Sequence, residues 1–254
     1  MKIIVVPDIH GRDFWKSAVD RIDECDRVVF VGDYFDPYNF EGISVIDAIS
    51  NFREILLFVK EHPDKVVMLI GNHDLPYFSE QYRALSSYHC RWSRAWHDVI
   101  SEMFEANRQL FKIAHVEDDI LFTHAGCSPL WLKSIHAEPD TLSELETILN
   151  ALPTTDVGLR QLYMVSHHRG GWHKAGSCVW ADVDELVHAP KDLHFDDCPM
   201  VKQVFGHTLQ VGYDEIGHLV SGEPITTPTI KMLDTRCAYM IDTATFVHEA
   251  IGLK

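Results

Sequence analysis

Gly71-Asn72-His73-Asp74, set directly after the apolar run 66–70 (VVMLI), is the stretch whose reading decides the fold. An apolar run of that length bounded by glycine reads as a buried strand. A buried strand seldom stops in Asn, His and Asp unless those side chains meet something at its end. The pattern occurs four more times: Asp8-Ile9-His10 after 3–6, Gly32-Asp33 after 28–31, Thr123-His124-Ala125-Gly126 after 120–122, and Gly206-His207-Thr208 after 201–205. Carboxylate oxygens and imidazole nitrogens are usual ligands of divalent metals. Strand ends of this kind, converging on one place, point to a hydrolase with two metal ions.

Around these clusters the first third of the chain alternates strand and helix patterns. Strands are expected over 2–7, 27–31 and 65–70, and helices over 13–25 and 44–61. In the second helix Val45, Ile49, Phe52, Ile55, Leu56 and Val59 recur at helical spacing. Such alternation predicts a parallel sheet with right-handed crossovers, and ligands of such sheets gather at the carboxyl ends of the strands. Residues 75–110 differ. They are rich in aromatics (Tyr77, Phe78, Tyr82, Tyr88, Trp92, Trp96) and read as a helical insertion beside the site. Segments 112–115 and 120–123, separated by Glu117-Asp118-Asp119, predict a hairpin. Helices are expected over 143–152 and 158–166, and strands over 201–205, 229–233, 238–242 and 245–250. Two sheets, each with an outer helical layer, account for this order. The class is α/β, and residues 1–254 are expected to form one domain.

The bulk numbers narrow the function. The 254 residues, 46% hydrophobic and 24% charged, suit a globular chain with a sizeable core. A net charge of −16, from 22 basic and 38 acidic residues, argues against stable nucleic acid binding or an anionic membrane partner. It leaves room for a phosphorylated substrate, because bound cations invert the local field. The cysteines (Cys25, Cys90, Cys127, Cys178, Cys198, Cys237) form no Cys-x-x-Cys pair and read as reduced thiols. No apolar run nears the ~20 residues of a membrane span. Residues 1–6 read as a strand rather than a signal peptide. The expected location is cytoplasmic.

Asp8 and His10 are two apart on extended chain, so both point to one side and could hold one ion. Asp33 could bridge to a second ion with its other oxygen, and Asn72, His124 and His207 could complete that site. Two such ions clamp a phosphate and activate water between them. His73 should face the cavity and could protonate the leaving group. Asp36 is the candidate partner for its second nitrogen, while Asp74 should point away. The donors suit Mn²⁺ first, with Fe or Zn²⁺ as alternatives.

These residues, in this order, resemble the calcineurin-like metallophosphoesterase superfamily. Asp8-Ile9-His10-Gly11, Gly32-Asp33-Tyr34-Phe35-Asp36 and Gly71-Asn72-His73-Asp74 look like the branch of phosphoprotein phosphatases and diadenosine tetraphosphatases. The run 124–131 (HAGCSPLW) is similar to the diadenosine tetraphosphatase version of its motif. The resemblance implies a four-layer α/β/β/α sandwich of the metallophosphoesterase type and two metal ions. It implies Asp8, His10, Asp33, Asn72, His124 and His207 as ligands, His73 as proton donor and Asp36 as its partner. It also implies a phosphorylated small molecule, a nucleotide or a phosphoprotein as substrate.

The chain departs from that branch at two positions. Pro37 stands where an Arg usually contacts phosphate. Arg169, beside Gly170-Gly171, is the first substitute, with Arg91 and Arg94 after it. Leu209 stands where diesterases and nucleases carry a second histidine, which weighs against those activities. The leading expectation is a metal-dependent phosphatase acting on monoesters or nucleotide phosphoanhydrides through a metal-activated hydroxide. The alternatives are a phosphodiesterase or nuclease, and a non-catalytic interaction scaffold of the same fold.

Overall fold

Apolar residues alternate faces along the strands, and both faces are covered. The structure is a computed structural model that describes residues 1–86, 88–188, 192–213 and 219–251. Its strands are Lys2–Val6 (β1), Arg27–Phe30 (β2), Val66–Leu69 (β3), Phe111–Lys112 (β4), Ala114–Glu117 (β5), Ile120–Thr123 (β6), Lys202–Phe205 (β7), Val211–Tyr213 (β8), Leu219–Ser221 (β9), Ile225–Thr226 (β10), Ile230–Met232 (β11), Ala238–Asp242 (β12) and Val247–Ile251 (β13). Six form one sheet in the order β13-β12-β1-β2-β3-β4, and five form a second in the order β10-β11-β7-β6-β5. β1, β2, β3 and β4 run parallel, as do β6, β7 and β11. Ile3, Val5, Val29, Val31 and Leu69 pack between the sheets with Ile120, Phe122 and Val204. Their neighbours Ile4, Val6, Val28, Phe30 and Met68 belong instead to the core under the helices. This period of two with both faces buried is what a sheet inside a sandwich requires.

The helices are Trp15–Val19 (α1), Val45–Glu61 (α2), Leu75–Phe78 (α3), Glu80–Ser86 (α4), His97–Ala106 (α5), Pro129–Ser134 (α6), Leu142–Ala151 (α7), Asp156–Leu162 (α8) and Val183–Val187 (α9). α2 starts where its sequence says it should. Ser44 Oγ accepts a hydrogen bond from Asp47 N, and the Asp47 carboxylate accepts one from Ser44 N. Its apolar face, Ile49, Phe52, Ile55, Leu56 and Val59, is buried against the first sheet. Leu142, Leu145 and Leu149 of α7 cover the other side of the molecule in the same way. The result is the four-layer α/β/β/α sandwich.

Two expectations change. The helix over 13–25 is α1 followed by one 3-10 turn, Ile22–Glu24. The segment 112–115 is not one strand of a hairpin: Lys112 ends β4 in the first sheet, and β5 begins at Ala114 in the second. Asn150 holds the chain at this switch, its Oδ1 accepting from Ile113 N and Ala114 N at 2.7 and 3.1 Å. The aromatic segment carries three short helices, α3 to α5. β8, β9 and β10 carry no periodic signal long enough to read from sequence. Among the described residues no helix is long and apolar enough to cross a membrane.

Phe52 joins α2 to the loop after β2. Its ring lies 5.0 Å from Tyr34, 4.8 Å from Phe35 and 5.3 Å from Phe104, centroid to centroid. Phe52→Ala should therefore cost about 3–5 kcal/mol in urea unfolding, the range for a buried ring lost from a close-packed core. A loss below about 1 kcal/mol would mean that the cluster repacks freely.

Candidate metal centre

All five polar clusters sit at strand carboxyl ends, and the pairing of the two sheets brings them together. Asp8 and His10 follow β1, Asp33 follows β2, Asn72 follows β3, His124 follows β6 and His207 follows β7. The sheets are tied at this point. His124 Nδ1 lies 2.9 Å from Val31 O, and His207 N donates to Asp8 Oδ1 at 2.9 Å. Close approach demands glycine: a Cβ on Gly206 would come within 2.2 Å of Asp8 Oδ1, and one on Gly71 within 2.1 Å of Asp33 Oδ1. His10, Asp33, Asp36 and His207 all have positive φ, at 44°, 54°, 61° and 70°. Non-glycine residues adopt that conformation at a cost, which concentrates where side chains must be aimed.

Two clusters of possible ligands result, Asp8-His10-Asp33 and Asp33-His124-His207, each with its ligand atoms within 4.8 Å of one another. Asp33 belongs to both. Its Oδ2 is 3.6 Å from His10 Nε2 and 3.4 Å from His124 Nε2. Oδ1 accepts from His73 N at 2.8 Å. Asn72 Oδ1 reaches His124 Nε2 at 2.9 Å, so it joins the second cluster.

The donors fit divalent cations. His10 and His124 each place Nδ1 against a backbone carbonyl, Phe35 O at 2.7 Å and Val31 O at 2.9 Å. That bond fixes the tautomer and leaves Nε2 directed inward, as in metal-bound histidines. His207 Nε2 is buried without a hydrogen-bond partner among the described residues. Burial pushes His10 and His207 well below the ordinary imidazole value, so both are neutral and free to ligate. Burial pushes Asp33 up, but His124, His73 and His10 outweigh it and hold the carboxyl well below its usual range. Burial lowers His124, yet Asp33 and Asp8 raise it to about 9. Cations would take over the compensation that this proton supplies.

A calcineurin-like phosphoesterase family model matches residues 1–211. The chain belongs to the calcineurin-like phosphoesterase family. It is a hydrolase, a metal-dependent phosphoesterase, and the family implies divalent ions at these donors. A search of curated protein sequences finds no match. Among solved structures, a cold-active protein-tyrosine phosphatase from a psychrophilic Shewanella species aligns over 99% of this chain and 80% of its own, with 13% identity and a TM-score of 0.52. A protein serine/threonine phosphatase from Saccharomyces cerevisiae aligns over 100% and 80%, with 14% identity and a TM-score of 0.46. A structure titled a putative diadenosine tetraphosphatase aligns over 100% and 95%, with 15% identity and a TM-score of 0.41. At these identities the likeness is one of fold, and only the first is close enough to carry it.

Within this family fold the remaining candidates fall around the ligand clusters. His73 Nδ1 is 3.4 Å from Asp36 Oδ2 and 3.2 Å from Arg91 O. Asp36 Oδ1 accepts from Tyr77 OH at 2.7 Å, a partner that sequence alone did not single out. Arg91 stands over the Tyr38 ring at 4.3 Å and donates to Asp36 O at 3.0 Å. Arg169 reaches the His207 loop through Thr208 Oγ1, but its charge is shared with Asp182 at 2.7 Å. Arg94 stacks over Trp92, 5.8 Å away. Trp180 is buried, its ring 5.7 Å from that of His207.

Asp74 points away from His73, as expected, and does something the sequence did not disclose. Its carboxylate accepts from Asp33 N at 2.7 Å, Tyr34 N at 2.9 Å and Gly71 N at 2.9 Å, clamping the ends of β2 and β3 together. Burial and the Asp33 charge raise it to about 8 against the pull of those N–H groups. Asp74→Ala strands three buried donors, each worth about 1–3 kcal/mol when unsatisfied. Part of that is offset because a costly buried acid is removed. A net loss of about 2–4 kcal/mol in urea unfolding is expected; a loss under 1 kcal/mol would show that the clamp is dispensable.

Proposed function

We propose that this chain is a phosphatase that binds two divalent ions, Mn²⁺ first among them, and hydrolyses phosphate monoesters or nucleotide phosphoanhydrides. The observation that carries this reading is the Asp33 carboxylate, shared by two ligand clusters and adjoining a histidine backed by a carboxylate. In the proposed assignment Asp8, His10 and Asp33 hold one ion, and Asp33, Asn72, His124 and His207 hold the other. The ions, when bound, supply Lewis-acid polarisation of the phosphoryl group and an activated water.

The chain's own residues do the rest. His73 is the proton donor to the leaving oxygen. Burial pulls its pKa down, but Cys90, Asp33 and Asp36 together drive it above the ordinary value, the direction a proton donor needs. Asp36, itself held by Tyr77, orients the ring through Nδ1 and leaves Nε2 for the substrate. Arg91, bonded to Asp36 O, and Arg169, bonded to Thr208, supply positive charge in place of the arginine absent at Pro37. The six cysteines are free, which fits a cytoplasmic location.

With Mn²⁺ restored to metal-stripped protein, p-nitrophenyl phosphate should be hydrolysed faster than its bis-ester. The reverse order would make the chain a phosphodiesterase despite Leu209. His73→Ala keeps the backbone N–H that binds Asp33 Oδ1, so metal content should stay constant while kcat falls by about 10²–10⁴-fold. Unchanged turnover in that variant would remove His73 from the chemistry.

A further inference from the structure

We propose that Arg12 and Arg236 form a second anion subsite next to the metal centre, one that takes a phosphate group of the substrate other than the one being hydrolysed. The proposal rests on the phosphoesterase reading and narrows its substrates to those carrying more than one phosphate.

The two guanidinium groups meet on one carboxylate. Arg12 Nε is 2.8 Å and Arg236 Nη2 is 2.6 Å from the same oxygen, Glu41 Oε1. Glu41 Oε2 is already bound by Tyr38 N at 3.2 Å. Arg236 Nη2 touches Glu41 as a charge contact without hydrogen-bond alignment, and Arg236 Nε and Arg12 Nη2 are buried with no partner among the described residues. Arg12 is only 8% exposed. Buried donors of this kind are costly to leave unmet, more so on a charged group. Arg236 is also held at φ 63°, a conformation a non-glycine residue adopts at a cost.

Among the described residues Glu41 is the one acid in direct ion-pair contact with both arginines, although Asp234 and Asp8 lie close enough to act by charge. Asp234 is buried nearby but makes no ion pair with either arginine among the described residues. Asp13, at the rim, is exposed and likewise unpaired with them. Two cations thus share one directly paired carboxylate, in a chain of net charge −16. Both arginines line a cavity of about 410 Å³ together with Phe40 and Glu41.

Position ties this cavity to the metal centre. Arg12 Nη1 donates to Asp8 O at 3.1 Å. Tyr38 is near both: its ring is 5.1 Å from His10, with the Arg12 guanidinium 5.7 Å from its centroid. Phe40 stacks on Tyr38 at 5.4 Å, and Arg236 lies over Phe40 at 5.6 Å. A substrate whose scissile phosphate lies at the clusters would pass Tyr38 to place a second phosphate against the two forks. Planar guanidinium donors suit that group in geometry as well as charge.

The test compares p-nitrophenyl phosphate, which has one phosphate, with inorganic tripolyphosphate, using Mn²⁺-loaded protein. Arg236→Ala should lower the ratio of kcat/KM for tripolyphosphate to that for p-nitrophenyl phosphate by about 10- to 100-fold, the loss typical of a charge-assisted contact. A ratio unchanged within about twofold overturns the subsite. Calorimetry of tripolyphosphate on metal-stripped protein gives a second readout, in which the same variant should bind at least about tenfold more weakly than the parent. Equal binding overturns the proposal. If the parent hydrolyses neither compound, the phosphatase reading falls, and calorimetry alone decides the subsite. If Arg236→Ala fails to fold, Arg236→Gln retains most of the side-chain volume and is judged by the same two readouts.

Discussion

Asp33 is a buried carboxylate that must be compensated from several directions, and the rest of the molecule is arranged to do so. Its Oδ1 accepts the His73 backbone N–H, and its Oδ2 faces His10 and His124 from two different sheets. A charge taken out of water without such partners would be too costly to keep. The requirement fixes how the sandwich closes. The carboxyl ends of β1 to β3 must meet those of β6 and β7, and the glycines before Asn72 and His207 allow the approach. Asp74 secures the same junction from behind by binding the Asp33, Tyr34 and Gly71 N–H groups.

Much of this was legible in the sequence, because strand ends are punctuated by residue type. Apolar runs that stop at Asp8, Asp33, Asn72, His124 and His207 announce both a buried sheet and a polar convergence at its ends. Ser44 and Asp47 announce the start of α2 in the same direct way. What stayed hidden depends on distance in space rather than along the chain. Tyr77 looks like one more aromatic residue in the insertion, and only packing shows its hydroxyl on Asp36. The break at Ile113 is set by Asn150, thirty-seven residues away. The orientation of the Asp33 carboxylate goes with its positive φ and the bond from His73 N, neither of which residue spacing encodes.

Arginine placement shows the same division. Arg169 was chosen for its glycine neighbours, and it does reach the His207 loop, but Asp182 shares its charge. Arg12 follows Asp8-Ile9-His10-Gly11 immediately and could have been singled out on position alone; Arg236 could not, since only the fold brings it to Glu41. In an acidic chain, arginines are thus gathered near the candidate ligands. That arrangement suits a phosphorylated substrate, drawn by ions at one end and by arginines around them.

The measurement closest to the central claim is metal content. Protein loaded with Mn²⁺ and freed of excess should hold two ions per chain by elemental analysis, and Asp33→Asn should fail to retain two because both clusters lose their common carboxylate. One ion or none in the parent protein, or two ions retained in Asp33→Asn, would contradict the account.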